Sequence, residues 1–237
     1  MASNHVLLVI PARLHSTRLP RKVILDESGK YLVQHVYERA LLVEGADEVV
    51  VATDHEVVKE AVESFGGNVI MTSADHQSGS DRAAEVARVR PCDLIVNLQA
   101  DEPELEPTDV AALIADMRAS GAEMGTLVHP DLSADDQMDP SVVKAVVTDD
   151  GWAIDFRREE TPGAMRHLGI YAFDPAFLQR FTQLKPTHNE LDRKLEQMRA
   201  IDNGYRLRAV VASHRGVGID TPEDYDAFVR RVRAERG

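Results

Sequence analysis

Residues 6 to 10 read VLLVI, and the pattern recurs: Glu48 to Thr53, Asn68 to Met71 and Leu94 to Leu98 are short runs rich in Val and Ile. A strand that is apolar on both faces must be covered on both, which half-exposed antiparallel sheets do not provide. Between the runs, Tyr31 to Val43, His55 to Phe65 and Arg82 to Val89 carry apolar positions at helical spacing. Such alternation predicts an α/β fold, a doubly wound, mostly parallel, Rossmann-like sheet with helices on both sides.

The style changes past a helix expected near Pro107 to Ala119. Glu123 to Val128, Val142 to Thr148, Ala153 to Phe156 and Arg166 to Phe173 read as strands with no long helix among the last three, which predicts a smaller mixed β lobe over about 124–175. A helix from Asn189 to Asn203, a strand from Leu207 to Ala212 and a closing helix from Pro222 to Arg236 return to the α/β style. No linker or repeat interrupts the chain, so a single domain over residues 1–237 is expected.

Charge narrows the partners. Asp+Glu number 40 against Lys+Arg 27, a formal net charge of −13 that repels nucleic acid and anionic membrane. An anion must therefore be gathered locally, and IPARLHSTRLPRK, residues 10–22, places Arg13, Arg18, Arg21 and Lys22 together just beyond the first strand. Pro11 and Pro20 make that stretch an ordered loop at the carboxyl end of a strand, where open α/β sheets bind ligands. A cation about 4 Å from a phosphate charge gains roughly 4 kcal/mol at an effective dielectric near 20, against about 1 in bulk water. Charge alone leaves open a solvated basic loop. No G-x-G-x-x-G or G-x-x-x-x-G-K-[ST] follows the strand, so neither a dinucleotide fold nor a P-loop ATPase is supported. The single cysteine, Cys92, excludes an internal disulfide and suits a reducing, cytoplasmic setting, and no apolar run approaches the length of a membrane span.

The fourth strand ends in VNLQADEP, residues 96–103, and a second acidic stretch, GVGIDTPED, carries Asp220. A carboxylate on the same rim as the basic loop suits Mg²⁺, which takes one or two carboxylates plus substrate phosphate oxygens. Asp-Glu-Pro is equally good turn chemistry, and either Asp220 or Thr221 could cap the helix beginning near Pro222.

PAR, STRLP with Lys22, ATDH (52–55), DHQSGSDR (75–82), NLQADEP (97–103), RHLGIY (166–171), LEQMR (195–199) and IDTPED (219–224) stand in the order and approximate spacing of the CMP-KDO synthetases. The chain thus resembles the 3-deoxy-manno-octulosonate cytidylyltransferases of lipopolysaccharide biosynthesis, of nucleotide-diphospho-sugar transferase type, across nearly its whole length. The resemblance implies that CTP is attacked at its α-phosphorus by the anomeric hydroxyl of a keto-acid sugar, with Mg²⁺ held by Asp101 and Asp220. It implies triphosphate contacts from Arg13, Arg18 and Lys22, a nucleotide-facing Ser78 and Gly79 assisted by Arg82, and Gln99 between nucleotide and sugar. For the sugar it points to Arg158, His167, Tyr171, Glu196 and Gln197, and for assembly to a homodimer. A planar guanidinium at Arg158 suits a sugar carboxylate. On the helix from 189, Leu191, Leu195 and Met198 form an apolar face at i, i+4 and i+7, leaving Glu196 and Gln197 on its flanks. His167 and Tyr171 fall on one face of a strand, where core packing is the alternative role.

The match departs from the family at named positions. Arg21 stands where the family usually has Gly, and Val23 where it has Pro. Arg157 and Arg158 are followed by Glu159, Glu160, Thr161 and Pro162, and only Gly163, Ala164 and Met165 separate that proline from RHLGIY, a shorter segment than the family carries. These differences face the sugar, so the acceptor could be another ulosonic acid such as an amino-KDO, or the chain a non-catalytic nucleotide-binding paralogue.

Overall fold

The computed structural model describes residues 4–235. Strands β1 (Val6–Pro11), β2 (Glu48–Thr53), β3 (Val69–Met71) and β4 (Leu94–Asn97) lie parallel in the order β3-β2-β1-β4. Their apolar runs are explained by two cores. Val6, Leu8 and Ile10 of β1 pack with residues of α1 (Leu32–Ala40), α2 (Glu56–Ser64) and α4 (Pro107–Ser120). Leu7 and Val9 point the other way, to α3 (Gly79–Val89) and α6 (Pro175–Phe181). Alternate side chains thus serve opposite layers, the period-two geometry of a strand buried on both faces.

The sheet then turns mixed rather than mostly parallel. β8 (Met165–Phe173) runs antiparallel to β4, and the order continues β5 (Met124–His129), β9 (Leu207–Val211), β7 (Trp152–Arg157), β6 (Lys144–Val147). Because β6 also pairs with β8, the strands β8, β5, β9, β7 and β6 close on themselves, with the short helix α5 (Ala134–Met138) in the β5–β6 connection. The strands expected to form an inserted lobe over 124–175 therefore share β5 and β8 with one continuous nine-stranded sheet. Closure removes exposed edges that would otherwise invite pairing with other chains.

The helix expected over Asn189 to Asn203 is two pieces, α7 (His188–Arg193) and α8 (Met198–Asp202). Lys194 takes a left-handed conformation, φ 55°, which stops α7. Leu195 and Met198 are buried, but Leu191 is 65% exposed, so the supposed apolar face does not exist. Tertiary bonds explain the break: Arg193 is drawn to Asp155, and Arg158 donates to the carbonyls of Arg193 and Lys194. Local propensity yields to those contacts.

The closing helix α9 (Pro222–Glu235) builds a third apolar cluster, in which Tyr225, Phe228 and Val229 meet Leu19, Leu32 and Ile219. Leu19 lies in the basic loop and Ile219 directly precedes Asp220. This cluster clamps the two chain segments that carry opposite charges.

Candidate active site

The clamp brings the basic loop and both acids together at the carboxyl ends of the parallel strands. Lys22 opens a single 3-10 turn, Lys22–Ile24, and its Nζ donates to Asp101 Oδ2 at 2.6 Å, to the Ile219 carbonyl at 2.7 Å and to Asp220 Oδ1 at 3.2 Å. Arg18 Nη2 stands 2.9 Å from the same Asp220 oxygen on the exposed rim. Arg21, before the turn, holds φ 58°. That left-handed backbone costs a residue with a Cβ about 1–2 kcal/mol and a glycine nothing, which gives a steric reason for the glycine that the resemblance leads one to expect there.

Beside this cluster opens a cleft of about 380 Å³. Pro11, Arg13, His15, Ser16 and Lys22 line one wall, Gly79 and Ser80 another, and Asn97, Gln99, Asp101, Tyr171 and Glu196 the floor and far side. Arg13 is steered by a bond from Nη2 to the His76 carbonyl. Gln99 Nε2 donates to the Gly169 carbonyl at 2.8 Å, fixing which end of its amide the cleft sees. Ser78 caps α3 through a capping box with Asp81 and presents Gly79 and Ser80 at the helix start, although Ser78 itself is not a lining residue. Glu196 lies in the α7–α8 break and accepts from Ser80 Oγ at 2.8 Å. Loss of water around it raises the Glu196 carboxyl above the usual range, and the same cause raises the Tyr171 phenol. Glu102, next to Asp101, is pushed up to about 7, first by desolvation and then by the Asp101 charge.

Of the residues expected at the site, Arg13, Lys22, Gly79, Gln99, Asp101, Tyr171 and Glu196 meet at this cleft, and Arg18 and Asp220 join it through Lys22 and its ion pairs. Four others are placed elsewhere. Arg158 spends Nε, Nη1 and Nη2 on the carbonyls of Arg193, Pro140 and Lys194, and does not line the cleft. His167 lies behind Tyr171, 5.4 Å between ring centroids, and shares a 3.0 Å hydrogen bond with Thr126. Desolvation pushes its imidazole down to about 3, so it stays neutral at physiological pH. Arg82 is fully buried, bonded to Thr72 and paired with Asp54 at 3.4 Å. Gln197 is buried one residue beyond Glu196.

Ser80 and Asn97 line the cleft and were not anticipated. Ser80 is the second serine of the SGS run that starts α3. Asn97 is the last residue of β4, and the carboxyl end of a parallel strand, where open α/β sheets bind ligands, is the signal that could have found it.

Asp101 and Asp220 converge on one ammonium, and a pair of carboxylates at one point is a donor set that suits a hard divalent ion completing its shell with phosphate oxygens and water. Among the described residues no group of three or more His, Cys, Asp or Glu is arranged to hold a metal by itself. Nor is any helix among them long and apolar enough to cross a membrane.

A cytidylyltransferase family model matches residues 7–207. A 3-deoxy-manno-octulosonate cytidylyltransferase of Geobacter sulfurreducens is 40% identical over 97% of this chain and 100% of its own length. One from Escherichia coli is 43% identical over 98% of this chain and 96% of its own. The solved structure of a CMP:2-keto-3-deoxy-manno-octonic acid synthetase complexed with CTP superposes with a TM-score of 0.93 at 40% identity, covering 98% of this chain and 99% of that one. By sequence over nearly its full length and by fold, the chain belongs to the 3-deoxy-manno-octulosonate cytidylyltransferases.

Proposed function

We propose that this protein transfers the cytidylyl group of CTP to the anomeric hydroxyl of 3-deoxy-D-manno-octulosonate, forming CMP-KDO and releasing pyrophosphate, with Mg²⁺ held by Asp101 and Asp220, as a step toward lipopolysaccharide. The observation that carries the reading is the meeting of Arg13 and Lys22 with Asp101 around one cleft whose remaining lining includes the polar side chains of Ser80, Asn97, Gln99, Tyr171 and Glu196. Phosphoryl transfer needs alignment and charge stabilisation more than covalent chemistry, so clustered cations and no dedicated base suffice. Arg13, Arg18 and Lys22 gather the triphosphate charge. Gly79, without a side chain, leaves room beside Pro11 and Asn97, where a Cβ would stand 3.4 Å from atoms of each. Mg²⁺, when bound, supplies Lewis-acid polarisation of the phosphate and lowers the cost of ionising the attacking hydroxyl.

The far wall favours a hydroxylated acceptor. Asn97 Oδ1 is a buried acceptor without a hydrogen-bond partner among the described residues, and Glu196 Oε1 has only a 3.9 Å contact with Arg199 Nη2; hydroxyl groups are donors that satisfy such atoms. Gln99, with Nε2 engaged, offers another acceptor in its Oε1. The homodimer and the cytosolic setting belong to the same reading through the resemblance.

The test is pyrophosphate release from CTP with a panel of keto-acid sugars, with and without EDTA. Turnover that is greatest with 3-deoxy-D-manno-octulosonate and abolished by the chelator is expected. Robust turnover only with an amino-KDO or another ulosonic acid replaces the acceptor, and CTP binding without turnover on any acceptor removes the enzyme.

A further inference from the structure

Lys22 occupies a complete three-oxygen cradle. An ammonium has three protons, and Asp101 Oδ2, the Ile219 carbonyl and Asp220 Oδ1 accept one each, at 2.6, 2.7 and 3.2 Å. The residue is only 8% exposed. The two carboxylates suited to a divalent ion therefore already hold a cation that the chain supplies. We propose that Lys22 is an internal competitor for the metal: its ammonium fills the Asp101–Asp220 site in the free protein, keeps divalent affinity low there, and vacates the site when a triphosphate draws it away.

The inference rests on the reading of Asp101 and Asp220 as metal carboxylates, and the physics behind it is mutual exclusion. A divalent ion and an ammonium on the same two oxygens repel at contact distance, twice as strongly as two single charges. Lysine suits the role because its charge is a compact point on a flexible four-carbon stem. Its root stays fixed: the Lys22 backbone N–H donates to the Leu19 carbonyl and its own carbonyl accepts from Leu25, both at 3.2 Å. The ammonium can then swing toward phosphate oxygens without rebuilding the loop. Arg18 also touches Asp220, but it lies on the exposed rim where solvent and salt screen it. Metal and nucleotide are thereby coupled, each favouring the other by displacing the same ammonium.

The experiment titrates the full-length protein with Mn²⁺ in the absence of nucleotide and follows free Mn²⁺ by electron paramagnetic resonance. Lys22→Met and Lys22→Gln, checked for fold by circular dichroism, should each bind Mn²⁺ at least tenfold more tightly than the wild type. Adding Asp101→Asn to Lys22→Met should abolish the gain. Unchanged or weaker binding in the folded variants overturns the proposal, as does a gain that survives Asp101→Asn. A micromolar Mn²⁺ site in the nucleotide-free wild type that Asp101→Asn removes also overturns it, and needs no Lys22 variant. If wild-type turnover ignores divalent ions, the reading of the two aspartates fails; if turnover is Mg²⁺-dependent and the Lys22 variants gain nothing, only this inference fails.

Discussion

The Ser80 hydroxyl donates to Glu196 Oε2 at 2.8 Å, joining the first turn of α3 to the break between α7 and α8. One hydrogen bond thus couples the wall that the resemblance assigns to the nucleotide with the wall that it assigns to the sugar. It also holds a carboxylate that loss of water has made harder to ionise.

Removing that donor should be felt at the sugar. Ser80→Ala takes away the 2.8 Å hydroxyl donor of Glu196 and leaves Ser78 and Arg199 as its remaining polar neighbours, a loss of about 1–3 kcal/mol for a desolvated acceptor. The expected result is a rise of roughly tenfold in KM for the acceptor sugar, with KM for CTP changed much less. Equal changes in both constants would show that Ser80 serves only the start of the helix.

Arg21 offers a stability test free of the chemistry. It is exposed and lies outside the cleft, yet it holds φ 58°. Arg21→Gly removes the Cβ penalty and costs part of the gain back in unfolded-chain entropy, for a net stabilisation of about 1 kcal/mol. In a chain of this size, thermal denaturation should register a rise of about 2–4 °C. A lower midpoint would mean that the Arg21 side chain contributes more than its backbone costs.

How far the sequence could be read depended on whether a side chain's place follows from its own segment. The parallel strands were legible because β1, β2 and β4 are apolar on both faces, and the cores confirm both, while the edge strand β3 is only half-buried. The loop from Arg13 to Lys22 was legible because its charge stands out in an acidic chain. Arg158 was not. Its three bonds reach carbonyls at 140, 193 and 194, contacts that no spacing within a segment reveals. The same bonds break the helix whose periodicity looked continuous, so the helix break and the place of Arg158 share one cause. Arg82 shows the converse: an arginine in a motif was expected at the ligand, and its burial against Asp54 and Thr72 is a property of the assembled sheet.

His167 predicts an acid limb to stability. Its folded pKa is depressed to about 3 from an ordinary value of 6.5. In that window the unfolded chain takes up a proton that the folded protein refuses, so the contribution is complete above pH 6.5 and is lost as pH falls toward 3. Glu102 works in the opposite sense: its carboxyl is raised to about 7 from 4.5, so its contribution is complete below 4.5 and lost as pH rises through 7. Comparing urea melts at pH 7 and pH 5 for wild type and His167→Gln isolates the histidine, because Glu102 is common to both. The variant should lose less stability on acidification than the wild type. Equal losses would mean that His167 titrates normally.

Lys22 and Asp101 should give variants alike in turnover and opposite in metal affinity. In the proposed reaction the Lys22 ammonium meets charge that grows on the phosphates, and removing one such contact costs about 3 kcal/mol, on the order of a hundredfold in kcat. Because the Lys22 stem is buried, Lys22→Ala also removes packing, whereas Lys22→Met keeps the stem and deletes only the charge. Lys22→Met should therefore lose turnover with its thermal midpoint within a few degrees of wild type. Asp101→Asn should lose at least as much turnover and also keep its fold, since the amide oxygen can still accept from Lys22 Nζ. Mn²⁺ binding without nucleotide then separates the two, tighter than wild type for Lys22→Met and weaker for Asp101→Asn. General damage to the cleft would weaken both, so parallel changes in metal affinity would show that the ammonium and the carboxylate do not contend for one cation.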